Sequence, residues 1–346
     1  MKTDKNVAVV GTIYALLVYL LHATDEDLKN SCIFLNAAYS DIGKRLPNCY
    51  LVCFNKLKKD NTFYRISALF WAFFLRLKRA TVWRKYFKGA EIYAQDHLPY
   101  SPALIGRDDY ILISDGFNDF NYYMKTPMHL EKEAWCTQLS FKKKIIRFFC
   151  GPVWNCWFGL SPQCKGLLHE NPAQIPYAKR KLDLLKVDFV SAWKNASDAK
   201  KNLICHAFDV SPSVLENFSR YSVLLLVQNF ECTDDVPEDE LAAIYKKALA
   251  TFDLRKVIIK THPAGRLNYR KYFPESFVLE QLIPMQLLVL LGVENIKTVV
   301  TINSTAVSMF GKDVEIIWLG EGCHPVIEKR YGITPMEEVV FRSRIT

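Results

Sequence analysis

Side chains able to carry acid–base or anion chemistry follow three apolar runs of this 346-residue sequence. The first is Asp115, which comes directly after the run YILIS at 110–114. If that run is a strand of a parallel sheet, the carboxylate lies at the carboxyl edge, where open α/β folds bind ligands. There it could accept a hydroxyl proton as a general base. Since Asp-Gly is also a common plain turn, both interpretations stay open.

The second run, KVIIKTHP at 256–263, brings Lys260 and His262 to such an edge, and Pro263 prevents a regular continuation of the strand. The loop at 264–272 adds three positive charges. A histidine after a strand is usually a hydrogen-bonded structural residue. Beside this basic loop, an imidazole that faces a phosphate is an equal alternative.

The third run is TINSTAV at 301–307, in which Ser304 and Thr305 begin a predicted short helix. Hydroxyl groups and unpaired backbone N–H groups at a helix N-terminus can bind an anion. Ordinary N-capping by Ser or Thr is the alternative.

The elements that must position these residues alternate along the chain as strands and helices. Residues 7–22 (VAVVGTIYALLVYLLH) fall short of the roughly 20 residues that span a membrane, so a buried strand, a turn at Gly11–Thr12 and a helix are predicted there, with a membrane segment as the lesser alternative. From Tyr221 onward, strand-like and helix-like runs alternate, which predicts crossovers and a parallel sheet. We expect two α/β domains, 1–212 and 213–346, the second ending in a helix that begins near Thr334.

Composition limits the partners and the compartment. The chain carries 45 Lys and Arg against 36 Asp and Glu, a net charge of +9, which favours an anionic partner such as nucleic acid, a membrane or a phosphorylated small molecule. Its ten cysteines are scattered without a CxxC pair, so free thiols in a reducing compartment, the cytosol, are expected and a zinc motif is not.

Two segments combine basic and aromatic residues. Residues 56–88 contain ten Lys and Arg and one acid, Asp60, and residues 141–160 repeat the pattern. This composition suits an anionic cytoplasmic leaflet, while a buried helix with a solvated basic flank is an equal alternative for the apolar part near 66–75. It would also suit single-stranded nucleic acid, but no helix-turn-helix, RNP or zinc pattern supports that partner.

The order of the three signals resembles bacterial sialyltransferases of the GT-B fold, and in particular the lipooligosaccharide sialyltransferases of glycosyltransferase family 52. The segments that carry the resemblance are VVGTIYALLVYLLH, YILISDGFNDFNYY, VIIKTHP, LIPMQLLVLLG and VVTINSTAV. Two positions depart from the family pattern. Ser114 replaces a usual first acid, which leaves Asp115 as the carboxylate, and Gln286 replaces an acid that contacts the donor's ribose.

The resemblance implies a GT-B fold, with two Rossmann-like doubly wound domains facing across a cleft. It implies inverting transfer of sialic acid from CMP-sialic acid to a terminal sugar of lipooligosaccharide, galactose being the expected one. Asp115 would be the base and His262 would stabilise or protonate the leaving phosphate. Lys260, Pro263 and Gln286 would contact the donor, and Ser304 with Thr305 would hold its phosphate. No cofactor and no metal would be needed, because these groups offset the phosphate charge.

A lipid-linked acceptor would place the protein in the cytoplasm, peripheral at the inner face of the membrane, and a homodimer is left open. The acidic residues at 234–240 rank second as the source of the base. The alternatives are a glycosyltransferase of the same fold that uses another nucleotide sugar, and a non-catalytic protein that binds membrane or nucleic acid.

Overall fold

The apolar runs of the sequence form parallel strands, which assemble into two separate sheets. The computed structural model describes residues 5–53, 62–115, 139–170, 182–292, 295–333 and 336. The chain divides into two compact units, Met1–Ala207 and Phe208–Thr346, each with one sheet and its own core. The predicted boundary between 212 and 213 lies at the start of the next helix, and the donor and acceptor roles of the two domains stay predictions.

In the described residues, the sheet of the first unit has seven strands in the order β3-β2-β1-β4-β5-β6-β7, all parallel. Their bounds are Asn6–Val10 (β1), Cys32–Asn36 (β2), Cys49–Val52 (β3), Glu91–Ala94 (β4), Tyr110–Ile113 (β5), Cys164–His169 (β6) and Asp183–Lys186 (β7). Chain order reverses between β1 and β4, the point at which doubly wound folds place a ligand crevice.

Helices connect these strands. Their bounds are Ile13–His22, Asp25–Asn30, Ser40–Arg45, Thr62–Ala80, Arg84–Phe87, Ser101–Ile105, Phe141–Cys150, Phe189–Asn195 and Asp198–Ala207. Thr12 caps the first helix, whose side chains are almost all buried, as the prediction of an opening strand–turn–helix unit requires. Among the helices that the structure describes, none has both the length and the apolar character to cross a membrane.

The sheet of the second unit, as far as the structure describes it, has five parallel strands in the order β10-β9-β8-β11-β12. Their bounds are Val223–Leu226 (β8), Val257–Lys260 (β9), Phe277–Leu279 (β10), Thr298–Thr301 (β11) and Glu315–Trp318 (β12). Chain order again reverses beside the first strand, here between β8 and β11. This is the arrangement of a nucleotide-binding Rossmann sheet.

The helices of the second unit agree with the predicted alternation. Their bounds are Pro212–Ser219, Phe230–Thr233, Glu238–Ala248, Tyr269–Tyr272, Met285–Leu290 and Pro325–Tyr331. One predicted short helix is instead a 3₁₀ turn, Thr305–Met309. The predicted tail helix near Thr334 lies, except for Met336, outside the described residues.

Candidate functional site

Asp115 lies directly after β5, and its carboxylate is hydrogen-bonded by side chains that follow two other strands. Oδ1 accepts hydrogen bonds from Thr12 Oγ1 at 3.0 Å and from Gln95 Nε2 at 2.7 Å. Thr12 follows β1 and Gln95 follows β4, the two strands that flank the reversal of chain order. The Asp115 side chain, only 8% exposed, is therefore held at the crevice where such sheets bind ligands.

The orientation of the Gln95 amide is fixed by the turn after β1. Gly11 N donates to Gln95 Oε1 at 2.6 Å, which leaves the amide NH₂ directed at Asp115. Gly11 also packs closely on Leu98, because a Cβ at position 11 would lie 2.4 Å from Leu98 Cδ2. The sequence analysis proposed Asp115 as a site residue but not Gln95, which nothing in the local pattern distinguishes from an ordinary polar residue.

His97 is the third side chain beside Asp115, with 3.5 Å between Nε2 and Asp115 Oδ2. Its ring stacks on Phe158, with centroids 4.8 Å apart and planes inclined by 13°. Phe158 belongs to the loop between helix Phe141–Cys150 and β6, so this loop forms one wall of the site.

Asp96 holds that loop in place through hydrogen bonds to its backbone. Its buried carboxylate accepts hydrogen bonds from Phe158 N at 2.6 Å, Gly159 N at 2.7 Å and Tyr110 Oη at 2.6 Å. Burial raises the pKa of Asp96, and these hydrogen bonds oppose the rise. The carboxylate thus acts as a structural tie that sets the position of Phe158 against His97.

The second unit places its predicted residues at the carboxyl edge of its own sheet. Lys260, the last residue of β9, is buried, and its Nζ donates to the carbonyls of Thr261 at 3.2 Å and Gln281 at 3.4 Å. Burial lowers the pKa of Lys260 to about 8. The ammonium group therefore ties the end of β9 to the segment after β10.

His262 is half-buried in the loop after β9. Its Nδ1 accepts a hydrogen bond from Ala264 N at 3.1 Å across the turn that contains Pro263, so a neutral ring carries its proton on Nε2. Burial and the charge of Lys260 lower the pKa of His262, while Glu231 opposes them. A phosphate beside Nε2 would favour the charged ring.

Glu231, which the sequence prediction missed, fixes the loop that follows His262. Its Oε1 accepts hydrogen bonds from Arg266 N at 2.7 Å and Leu267 N at 3.2 Å. The carboxylate lies in the short helix Phe230–Thr233, far from the loop in sequence. Only the tertiary contact identifies it.

The remaining predicted residues lie in two segments. Ser304 and Thr305 follow β11, and Gln286 lies in the helix between β10 and β11. Ser304 directly precedes the 3₁₀ turn, which begins at Thr305. The backbone N–H of Ser304 donates to Thr301 Oγ1 at 3.1 Å, and its hydroxyl group makes no capping hydrogen bond to the turn. Gln286 is half-buried in helix Met285–Leu290, which packs against that turn. Since β9 and β11 flank β8, the residues that follow β11 lie at the same edge of the sheet as His262.

Two further observations describe what surrounds these residues. In the described ranges, no group of three or more His, Cys, Asp or Glu side chains is placed to hold a metal ion. A hollow of about 710 Å³ lies at the opposite edge of the first sheet, before β4 and β5, with a lining that includes Arg79, Arg84, Lys88 and Arg107. It is separate from the Asp115 cluster.

Comparison with known proteins gives both a family and a fold. The sequence profile of glycosyltransferase family 52 matches residues 58–319. An uncharacterized protein of Haemophilus influenzae is 22% identical over 337 residues, which cover 95% of this chain and 98% of that protein.

Two solved structures are similar in fold. A 2,6-sialyltransferase of Photobacterium sp. JT-ISH-224, solved with CMP and lactose, has a TM-score of 0.56 at 11% identity, covering 90% of this chain and 71% of that one. A UDP-N-acetylglucosamine 2-epimerase (assigned provisionally) of Listeria monocytogenes has a TM-score of 0.50 at 12% identity, covering 93% and 80%. The prediction of two Rossmann-like α/β domains is confirmed.

Proposed function

This chain belongs to glycosyltransferase family 52, as its sequence predicted, and on that premise we propose that it transfers sialic acid from CMP-sialic acid to a terminal sugar of a lipid-linked glycan. The observation that carries the proposal is the Asp115 carboxylate, held by Thr12 and Gln95 at the reversal point of the first sheet. The CMP and lactose bound to the similar Photobacterium enzyme support a cytidine donor and a galactose acceptor.

In the proposed reaction Asp115 takes the proton from the acceptor hydroxyl as that oxygen attacks the anomeric carbon. The new bond forms on the face opposite the leaving CMP, so the configuration inverts. Neutral donors on Oδ1 keep the carboxylate oriented, and His97 lies beside Oδ2. A base in a fixed position contributes about 10²- to 10⁴-fold to such a proton transfer.

His262 would assist departure of CMP through the N–H of Nε2. Its lowered pKa favours the neutral ring before the donor arrives, and the phosphate charge would then raise that pKa and draw a proton to the ring. Ser304 and Thr305 would donate to the same phosphate, and Gln286 would hydrogen-bond the ribose. No metal is required in this scheme, because the charge on the phosphate is offset by protein donors.

The test is transfer by the purified chain, in EDTA, from CMP-sialic acid to a lactose-type acceptor. We expect Asp115→Asn to lower the rate by about 10²-fold or more, and His262→Ala to lower CMP release. Asp109→Asn and His206→Ala, which change exposed residues of the same types, are the matched controls and should leave the rate unchanged.

Two outcomes would contradict the proposal. Release of UDP or GDP from their sugar donors, but not of CMP, would favour another nucleotide sugar, the alternative that Gln286 motivates. Unchanged function in both Asp115→Asn and His262→Ala would favour a non-catalytic binding protein.

A further inference from the structure

Glu231 carries a negative charge beside the loop of His262. Its Oε1 accepts the backbone N–H groups of Arg266 and Leu267. Its Oε2 is buried, and within the described ranges this atom has no hydrogen-bond partner. None of the ion pairs among the described residues includes Glu231. One carboxylate oxygen therefore holds the loop, and the negative charge is not neutralised by a described cation in direct contact.

The turn at Gly265 brings the carboxylate close to His262. A Cβ placed on Gly265 would lie 3.3 Å from Glu231 Oε1, 3.3 Å from the carbonyl oxygen of His262 and 3.7 Å from His262 Cβ. The backbone N–H of Gly265 donates to that carbonyl at 2.9 Å. The carboxylate and the histidine therefore border the same glycine, close enough for the charge of Glu231 to act on the imidazole.

His262 thus has neighbours of opposite charge. Burial and then the charge of Lys260 lower the pKa of His262, whereas the charge of Glu231 raises it. Three further titratable groups lie near Glu231, and burial raises the pKa of each, so they stay neutral at ordinary pH: Cys232, Tyr245 and Tyr269. Glu231 is therefore the described anion that favours the charged imidazole.

We propose that Glu231 is a positioning residue for His262, which orders the loop that carries the imidazole and favours the charged ring when a leaving phosphate is bound. The role rests on the proposed function, in which the N–H of Nε2 assists departure of CMP. As the bond from the anomeric carbon to the phosphate oxygen breaks, its electron pair stays on that oxygen, which accepts the hydrogen bond or the proton of Nε2. Glu231 acts through His262, as a carboxylate beside a histidine does when it stabilises the imidazolium.

The test is the pH titration of His262 by NMR, on the full chain labelled at the histidine rings, without donor or acceptor. The signal is assigned among the seven histidines by its loss in His262→Ala. Glu231→Gln removes the charge, but its amide oxygen can accept the same two backbone hydrogen bonds. We expect the titration midpoint of His262 to move to lower pH in this variant, because the charged ring loses its anionic neighbour.

Glu328→Gln is the matched control. It changes an exposed glutamate in a helix of the same unit and should leave the titration of His262 as it is in the unaltered chain. Glu231→Asp keeps the charge, so its midpoint should lie closer to that of the unaltered chain than the midpoint of Glu231→Gln does.

An unchanged midpoint in Glu231→Gln would make Glu231 a structural tie alone and would overturn the proposal. An equal displacement in Glu328→Gln would do the same. So would a Glu231→Gln variant that unfolds while Glu231→Asp stays folded, because the loop itself would then require the carboxylate.

The titration needs no substrate, so it separates the role of Glu231 from the proposed function. If the chain transfers sialic acid, Glu231→Gln should lower kcat with little change in KM, and the loss should grow as the pH rises, because less of the imidazole is charged. A displaced midpoint in a chain that transfers no sialic acid would contradict the proposed function and leave the pairing of Glu231 with His262 intact.

Discussion

At the scale of single residues, the Asp115 site depends on contacts between positions that are remote in sequence. Thr12 lies 103 positions before Asp115, and Gln95 lies 20 before it. No periodic pattern links them. They meet because the ends of parallel strands converge at one edge of the sheet, and the polar residues just after those ends then share one crevice.

Replacing Gln95 by Glu should move the pH dependence of activity toward higher pH. The new carboxylate would take the place of an amide that lies 2.7 Å from Asp115 Oδ1, and two carboxylates so close share a proton. If Asp115 is the base, the variant should reach full activity only at a pH about one unit or more higher than the unaltered protein does. The measurement is the pH profile of kcat/KM for sialyl transfer.

Gln95→Met is the comparison variant, because it removes the hydrogen bonds without adding a charge. It should lower the rate with little displacement of the profile. If Gln95→Glu and Gln95→Met gave the same profile, the carboxylate introduced at position 95 would not be interacting with Asp115.

At the scale of elements, strand ends are tied together by buried polar side chains. The ammonium group of Lys260 donates to the carbonyls of Thr261 and Gln281, and its contact with a donor stays a prediction. Glu231 ties the loop after His262 in a comparable way. Such ties position His262, and residue type alone does not separate a tie from a ligand contact.

The buried ammonium of Lys260 makes stability depend on pH. Its pKa is lowered from 10.5 to about 8, so between those values the unfolded chain binds more protons than the folded protein. The free energy of unfolding of the native protein should therefore rise with pH in this window relative to Lys260→Met, by up to ~1.4 kcal/mol per pH unit. Urea titrations of both proteins from pH 7 to 11 measure the difference. Parallel pH dependences would mean that Lys260 is solvated.

The helices Thr62–Ala80 and Phe141–Cys150 show what composition leaves open at this scale. Their residues fit both a buried helix and a membrane surface, because both require apolar and aromatic side chains. The structure shows which side chains of the first helix the core uses: Leu75 is buried, while Phe70 is exposed. The basic residues 56, 58 and 59 lie outside the described part of the chain.

At the scale of the whole molecule, two sheets with separate cores predict two unfolding transitions. If the second unit binds CMP, excess CMP should stabilise only that unit. Its free energy of unfolding should rise by about 2.7 kcal/mol at a CMP concentration of one hundred times Kd. Leu225 is fully buried in that unit, so Leu225→Ala should lower the Tm of one calorimetric transition and so identify it as that of the second unit. An increase confined to the other transition would assign CMP to the first unit.

The sequence by itself determined the class of the fold. Apolar runs such as VLLL in β8 and the VII of VIIK in β9 indicate strands whose side chains are buried on both faces of the sheet, which is typical of parallel sheets. Strands β6, β7 and β10 carry a weaker signal, because Lys165 and Gly166 interrupt β6, Asp183 and Lys186 leave only two leucines in β7, and β10 has three residues. The motifs also identified Asp115 and His262 as candidates.

Only the tertiary structure decided what surrounds those candidates. Which strand lies beside which is set by crossovers and long-range packing, and this order brings Thr12, Gln95 and His97 to Asp115. Burial likewise depends on the complete chain, so it alone could direct Lys260 inward and Phe70 outward. Local sequence encodes propensity and pattern, whereas a site requires contacts between residues that only the folded chain brings within hydrogen-bonding distance.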